Sequence, residues 1–317
     1  MSSRTSSVRK STGSDLPSSH PDEAVISDIS ARLTGLLSAP LVGWRPILRG
    51  YTPALRGVAT LADGTTAFVK LATNDLTAEW LRIEHRIYRQ LPCVPYRAQL
   101  VSWRPHPLPA LALEDLSSAR WPPPWQPGDV TAVRAALASI SVVDLPDLPP
   151  MSPSVLDGWS AVASDPTPLL GLGLVSPSWL RAALPRLQAA ASQAPRVGDA
   201  VLHFDVRSDN LCLRPSGACL IDWNYTCRGD ARLDVAFWSA SLRAEGGPQP
   251  ETQLGEAPEL AAAVSGFFAG RAGLPVIPQA PLVRRVQQEQ LASALPWAIR
   301  ALGLPAADGP RAGALVD

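Results

Sequence analysis

His203-Phe204-Asp205-Val206-Arg207-Ser208-Asp209-Asn210, followed after a turn by Ile221-Asp222-Trp223, decides how this chain reads. The run brings an Asp, an Asn and a second, downstream Asp into one neighbourhood. Between them Leu211-Cys212-Leu213-Arg214 and Ala218-Cys219-Leu220-Ile221-Asp222 flank Pro215-Ser216-Gly217, which predicts two short strands around a tight turn. Phosphoryl transfer needs such a set. A carboxylate orients the acceptor hydroxyl and takes its proton, while hard oxygen ligands hold Mg²⁺ against the nucleotide phosphates. Mg²⁺ takes one or two carboxylates plus substrate phosphates, so Asp222 can supply the carboxylate and Asn210 a further oxygen.

The second clue lies far upstream. The chain has 28 basic residues, yet only Lys10 and Lys70 are lysines. An ammonium and a guanidinium are not interchangeable, so a lone Lys in an Arg-rich chain marks a place where Arg does not serve. Lys70 ends the β-type run Thr66–Leu71, which Asp63-Gly64 joins to Val58–Ala62 as a hairpin. An earlier strand is expected at Leu48-Arg49-Gly50. A helix follows, with Thr77 as its N-cap and with Leu81, Glu84, Ile87, Tyr88 and Leu91 at helical spacing before Pro92. Ala98–Trp103 and Ala110–Leu113 read as two more strands, the second ending in Glu114-Asp115-Leu116.

Helical patterns dominate the rest: Val130–Ser141, Pro177–Ser192, Leu233–Arg243, Pro258–Ala272 and Val283–Leu302. Pro185 is expected to kink or split the second of these and Pro296 to interrupt the last. One more helix is expected at Glu23–Leu37, ending near Gly35. A β-rich first part and a helical second part make an α+β protein, with a small β lobe, a larger helical lobe and a cleft between them. The expected division is a disordered Ser-rich tail over 1–23, an N-lobe over 24–116 and a C-lobe over 117–317.

Composition removes several function classes. The 28 basic and 28 acidic residues balance, so the electrostatic footprint of a nucleic-acid binder is missing. No apolar run approaches the roughly 18 to 20 residues of a membrane span. The tail lacks the apolar stretch of a signal peptide, and a soluble cytoplasmic protein is the expectation. Cys93, Cys212, Cys219 and Cys227 include no Cys-x-x-Cys pair, and His20, His85, His106 and His203 are not spaced to complete a zinc site with them. Reduced structural thiols are expected. No Gly-x-x-x-x-Gly-Lys-Ser/Thr occurs, which excludes a P-loop NTPase.

The His203-x-Asp205-x-x-x-x-Asn210 run with Ile221-Asp222-Trp223 resembles the aminoglycoside phosphotransferase family, which shares its protein-kinase-like fold with choline kinases. The resemblance spans roughly Leu48 to Trp238. It implies that Asp205 is the catalytic base, that Asn210 and Asp222 are Mg²⁺ ligands, and that His203 braces the catalytic loop. Asp234 resembles the Asp that anchors that loop through backbone hydrogen bonds. Phe204 stands where the family often has Gly. Arg207 stands where it often has His, and a cation there is expected to contact the transferring phosphoryl group or to pair within the loop. Phe68-Val69-Lys70 resembles the strand bearing the phosphate-binding lysine, with Glu84 as its ion-pair partner and Glu79 as the second choice. Gly50 and Thr52 sit where a loop covers the phosphates, and Glu114 to Leu116 resembles the hinge that meets adenine. The implied cofactors are ATP and Mg²⁺, and the implied partner is a small-molecule hydroxyl acceptor.

The acceptor itself is not legible. Glu245, Glu251, Glu256 and Glu259 either attract a cationic acceptor or belong to a solvated loop. Trp223, Tyr225 and Trp238 either line an acceptor pocket or fill the core. A nucleotide-binding pseudokinase acting in regulation is the rival reading, although every base and metal residue is present. A protein kinase is a third, disfavoured by Asp222-Trp223 where protein kinases carry Asp-Phe-Gly. Oligomeric state is not readable.

Overall fold

The computed structural model describes residues 23–48 and 53–316. Gly50 and Thr52, the expected strand at Leu48-Arg49-Gly50 beyond its first residue, and the Ser-rich tail up to residue 22 lie outside them. Helix α1 (Glu23–Leu33) leads to β1 (Leu41–Pro46), β2 (Leu55–Leu61) and β3 (Thr66–Leu71), then α2 (Asp75–Gln90), β4 (Leu100–Arg104) and β5 (Ala110–Glu114). The five strands form one antiparallel sheet in the order β1-β2-β3-β5-β4. The first strand thus lies at Leu41–Pro46, earlier than the sequence pattern suggested. The β2–β3 turn is made by Asp63, whose carboxylate accepts from the Thr65 amide at 3.0 Å, and by Gly64 at φ +83°.

Helix α2 starts two residues before Thr77. Asn74 is the N-cap; its side chain accepts from the Thr77 amide, and the Thr77 hydroxyl accepts from the Asn74 amide in return. Thr77 is therefore the N3 residue that closes a capping box and not the cap. The helix lays Leu81, Ile87 and Tyr88 onto the sheet and buries Glu84 among them.

The C-terminal part holds α3 (Asp129–Ser141), α4 (Gly158–Ser164), α5 (Thr167–Gly171) and α6 (Pro177–Ser192), then β6 (Ala200–Leu202), β7 (Leu211–Arg214), β8 (Gly217–Leu220) and β9 (Cys227–Gly229), and finally α7 (Arg232–Ala244), α8 (Glu251–Leu254), α9 (Pro258–Ala272) and α10 (Val283–Leu302). β7 and β8 pair as the expected hairpin, with Cys212 opposite Cys219 and both thiols free. β6 pairs with β9. Helices α6 and α10 run unbroken through Pro185 and Pro296. Each proline removes one backbone hydrogen bond. Buried neighbours on the flanking turns, Ala183 and Leu187 in α6 and Leu295 and Trp297 in α10, hold the axis despite that loss.

Helix α9 is the axis of this part and is buried along most of its length. It meets α4 so closely that a Cβ on Gly158 would stand 1.8 Å from the Gly266 carbonyl oxygen. Only glycine permits that crossing. The Trp159 indole seals it by donating to the Ala262 carbonyl at 2.8 Å. A second apolar core joins the two halves of the molecule, packing α2 and β5 against α3, the β7–β8 hairpin, Trp223 and Trp238. The result is a mixed α+β molecule with a five-stranded sheet lobe, a helical lobe and a cleft between them.

Candidate active site

The loop from β6 to β7 carries His203 through Asn210, and its shape is imposed from below. Asp234, near the start of α7, accepts the amides of His203 and Phe204 at 2.8 Å each. His203 is fully buried, and burial depresses its pKa to about 4, so the imidazole is neutral. Its Nε2 lies 2.9 Å from the Ile221 carbonyl, which can only accept, so Nε2 carries the proton. That leaves Nδ1 to accept from the Asp205 amide at 3.3 Å. One neutral ring thus ties the loop to the end of the hairpin.

Asp205 stands in the cleft wall. Burial raises its pKa to about 6, against the opposing pull of Arg207. The Asn210 amide nitrogen donates to the Asp205 carbonyl at 2.9 Å and to its Oδ2 at 2.8 Å. Arg207 pairs with Asp209 at 3.1 Å and approaches Asp205 at 3.5 Å, so the pairing within the loop is present while the guanidinium still lines the cleft.

Lys70 and Glu84 meet under the sheet. Lys70 Nζ donates to the two Glu84 oxygens at 2.9 and 2.8 Å and to Asp222 Oδ1 at 3.2 Å. Burial disfavours the ammonium, but Asp222 and Glu84 outweigh it and keep the Lys70 pKa above its ordinary value. Burial likewise pushes Asp222 up, and Lys70 and Arg56 reverse it, holding this carboxyl below its ordinary value. Glu79 is not the partner; it pairs with Arg82 on the helix surface.

Lys70, Asp205, Arg207, Asn210 and Asp222 open onto one cavity of about 1250 Å³ between the sheet and the helices, while Glu84, His203 and Asp234 are buried behind its wall. Glu114 and Leu116 line its rim at the connection between the lobes. The Glu114 amide is used by the Gln99 carbonyl, and the Leu116 carbonyl by the Trp121 indole. The Leu116 amide has no acceptor among the described residues.

Sequence reasoning missed part of the wall. Asn224 donates to Asp222 Oδ1 at 2.5 Å, and its own amide oxygen is buried without a partner among the described residues. Its proximity to Asp222 in Asp222-Trp223-Asn224 was the available signal. Phe237, Phe267, Arg271 and Arg284 also line the cavity and carry no motif. The four glutamates singled out earlier do not line it. Glu245 bonds Ser208 and Trp125, Glu251 pairs with Arg300, Glu259 pairs with Arg232, and Glu256 is exposed. Trp223 and Trp238 are fully buried core, whereas Tyr225 reaches the cavity.

A two-lobed fold with an Asp–Asn–Asp set facing a buried Lys–Glu pair across a cleft defines a kinase-like phosphotransferase. The chain belongs to the phosphotransferase enzyme family (APH), whose model matches residues 44–272. Among solved structures it is similar to a thermostable mutant of aminoglycoside phosphotransferase APH(4)-Ia in ternary complex with ADP and hygromycin B, at 15% identity and a TM-score of 0.55, covering 89% of this chain and 98% of that one. A macrolide 2'-phosphotransferase type I matches at 18% identity and a TM-score of 0.51, over 91% and 99% of the two chains. A choline/ethanolamine kinase family protein from Mesorhizobium loti matches at 13% identity and 0.53, over 92% and 97%. No curated protein sequence matches the chain. Among the described residues no helix is long and apolar enough to cross a membrane.

Proposed function

We propose that this phosphotransferase moves the γ-phosphoryl group of ATP to a hydroxyl of a small molecule, with Asp205 as the base. The observation that carries the reading is the convergence of Asp205, Asn210, Asp222 and the Lys70–Glu84 pair on one cleft. The acceptor oxygen forms a bond to the γ-phosphorus, the bond to the β-phosphate bridging oxygen breaks, Asp205 takes the hydroxyl proton and ADP leaves. Lys70, fixed by Glu84, presents its charge to the phosphates. Arg207 sits beside Asp205, within reach of negative charge gathering on the transferring group. His203 positions the loop without touching substrate. The Leu116 amide is a donor left for the adenine edge, with Glu114 flanking it.

The donor set fits Mg²⁺. Asn210 spends its amide nitrogen on Asp205, so its oxygen remains for a ligand; Asp222 spends Oδ1 on Lys70 and Asn224, so Oδ2 remains. The orphaned Asn224 oxygen adds a third hard donor. Oxygen ligands from one carboxylate and amides, completed by phosphates, suit Mg²⁺ rather than zinc. When bound, the ion neutralises phosphate charge. Complexes with ADP and hygromycin B in a relative of the same fold support a nucleotide and an alcohol sharing such a cleft.

Asp205→Asn tests the assignment. Transfer, or slow ATP hydrolysis with water as acceptor, is expected to fall by roughly 10²–10⁴-fold while ATP still binds. Undiminished turnover in that variant would remove Asp205 from the mechanism.

A further inference from the structure

The acceptor end of the cavity has a chemistry of its own. All five phenylalanines of the chain line this cavity, and four gather at the end away from Lys70. Phe204, the residue before Asp205, meets Phe237 edge-on at 5.3 Å; Phe237 meets Phe267 at 5.2 Å. The Arg271 guanidinium then lies over the Phe267 ring, 4.0 Å from its centre. An aromatic wall therefore runs from the catalytic loop to a cation. Phe204, Phe237 and Phe267 are each only partly buried, so their faces remain available to a ligand.

The cation is not neutralised. Arg271 donates to the Phe267 carbonyl and Arg284 to the Pro275 carbonyl and the Gln287 side chain. Among the described residues neither has a carboxylate within 4 Å. The two line the same cavity, and burial together with the charge of Arg284 lowers the Arg271 pKa. Two half-buried guanidinium groups sharing a wall without a counter-ion form a site for an anion. The same wall would repel a polycation.

Phe204 adds an independent observation. Its φ is +62°, a left-handed conformation that is strained for a side-chain-bearing residue and that glycine adopts freely. A large ring held there must contribute where it stands, and it stands at the junction of catalytic loop and aromatic wall.

We propose that the acceptor is a hydroxyl compound with an aromatic or extended apolar body and an anionic group, its body on Phe204, Phe237 and Phe267 and its anion on Arg271 and Arg284. This rests on the phosphotransfer reading above and names the acceptor class of that same site. The transfer is unchanged: the hydroxyl takes the γ-phosphoryl group of ATP, its proton goes to Asp205 and ADP departs.

The test uses three matched compounds: 3-[4-(hydroxymethyl)phenyl]propanoate, its primary amide and the corresponding primary amine. Binding to the full chain is measured by calorimetry with a non-hydrolysable ATP analogue and Mg²⁺ present, and transfer by ADP release with ATP. The carboxylate is expected to bind at least tenfold tighter than the amide, with the amine weakest. Arg271→Gln with Arg284→Gln is expected to erase the carboxylate-over-amide preference. Phe204→Gly is expected to weaken all three alike. Equal binding of the three, or none, overturns the assignment, as does tighter binding of the amine or of a polycationic aminoglycoside. ATP hydrolysis without acceptor, and its loss in Asp205→Asn, reports on phosphotransfer separately, so the acceptor class can fail while that reading stands.

Discussion

Among the described residues two that are not glycine have a positive φ, Phe204 at 62° and Asp222 at 66°, and both face the cleft. Strain held at a cleft is a mark of function when the surroundings enforce it. At Asp222 the turn aims a carboxylate at Lys70 as the chain leaves the hairpin. At Phe204 the Asp234 carboxylate grips the two amides that fix the turn. The sequence marked Phe204 as unusual, because glycine is common at that place in relatives; the torsion explains why. Lys70 was legible for a similar reason, being one of only two lysines. Its exposure of 3% and its contacts to two carboxylates show what the ammonium is for. A guanidinium is planar and larger and cannot place one point charge between Glu84 and Asp222. Lys70→Arg is therefore expected to lower kcat/KM for ATP by about 10²-fold despite keeping the charge, the order of loss that a misplacement of 1 Å brings. Steady-state kinetics at varied ATP checks this, and wild-type kcat/KM would show that any cation suffices. Arg271 and Arg284 were not legible, because nothing local distinguishes them from the other arginines. Only the folding of α9 and α10 onto the cleft gives them a role.

At the scale of elements, the helix that carries Glu84 depends on its first turn. Asn74 and Thr77 exchange hydrogen bonds with each other's backbone, which satisfies amides that a helix start leaves bare. Asn74→Ala removes one side of the box and is expected to cost about 1 kcal/mol of stability. Chemical denaturation measures it, and a loss below a few tenths would show that the Thr77 side of the box suffices. The sequence pattern points to Thr77 as the cap; that Asn74 fills that place instead rests on where the chain leaves β3, which no local pattern encodes. Strand β1 escaped notice for another reason. Leu41-Val42-Gly43-Trp44-Arg45-Pro46 contains a Gly and a Pro, both poor strand formers. The strand survives because β1 is the edge of the sheet, where a proline that cannot donate does little harm. Patterns carried by one element, such as the Asp63-Gly64 turn or helix α9, were legible to the residue. Those set by an element's neighbours were not.

For the whole molecule, direct polar links tie the two lobes together behind the cleft. Lys70 on β3 reaches Asp222 beyond β8, and Glu114 at the end of β5 pairs with Arg214 on β7 at 2.8 Å. The Leu220 amide also donates to the Tyr96 carbonyl at 2.8 Å, Arg214 donates to the Pro95 carbonyl, and the apolar core shared between the lobes adds to these links. In the proposed function Asp222 has two partners, Lys70 through Oδ1 and Mg²⁺ through Oδ2, so the metal-bound nucleotide would add to a link already made across the cleft. A ligand that binds only the folded state stabilises it by about 2.7 kcal/mol at a hundred times its Kd. For a chain of this length that is on the order of 4 °C in Tm. A non-hydrolysable ATP analogue with Mg²⁺ is expected to produce such a rise, and EDTA to remove most of it. In Asp222→Asn the Mg²⁺-dependent part is expected to vanish, because an amide oxygen is a weaker ligand for a hard cation and one carboxylate is lost from a site that has few. The basal Tm of that variant also falls if the link to Lys70 matters, so the increment, not the absolute value, is the quantity to compare. An analogue-induced rise that is the same with EDTA as with Mg²⁺ would mean that Lys70 and backbone amides hold the phosphates without the ion, and that Asn210, Asp222 and Asn224 serve some other end.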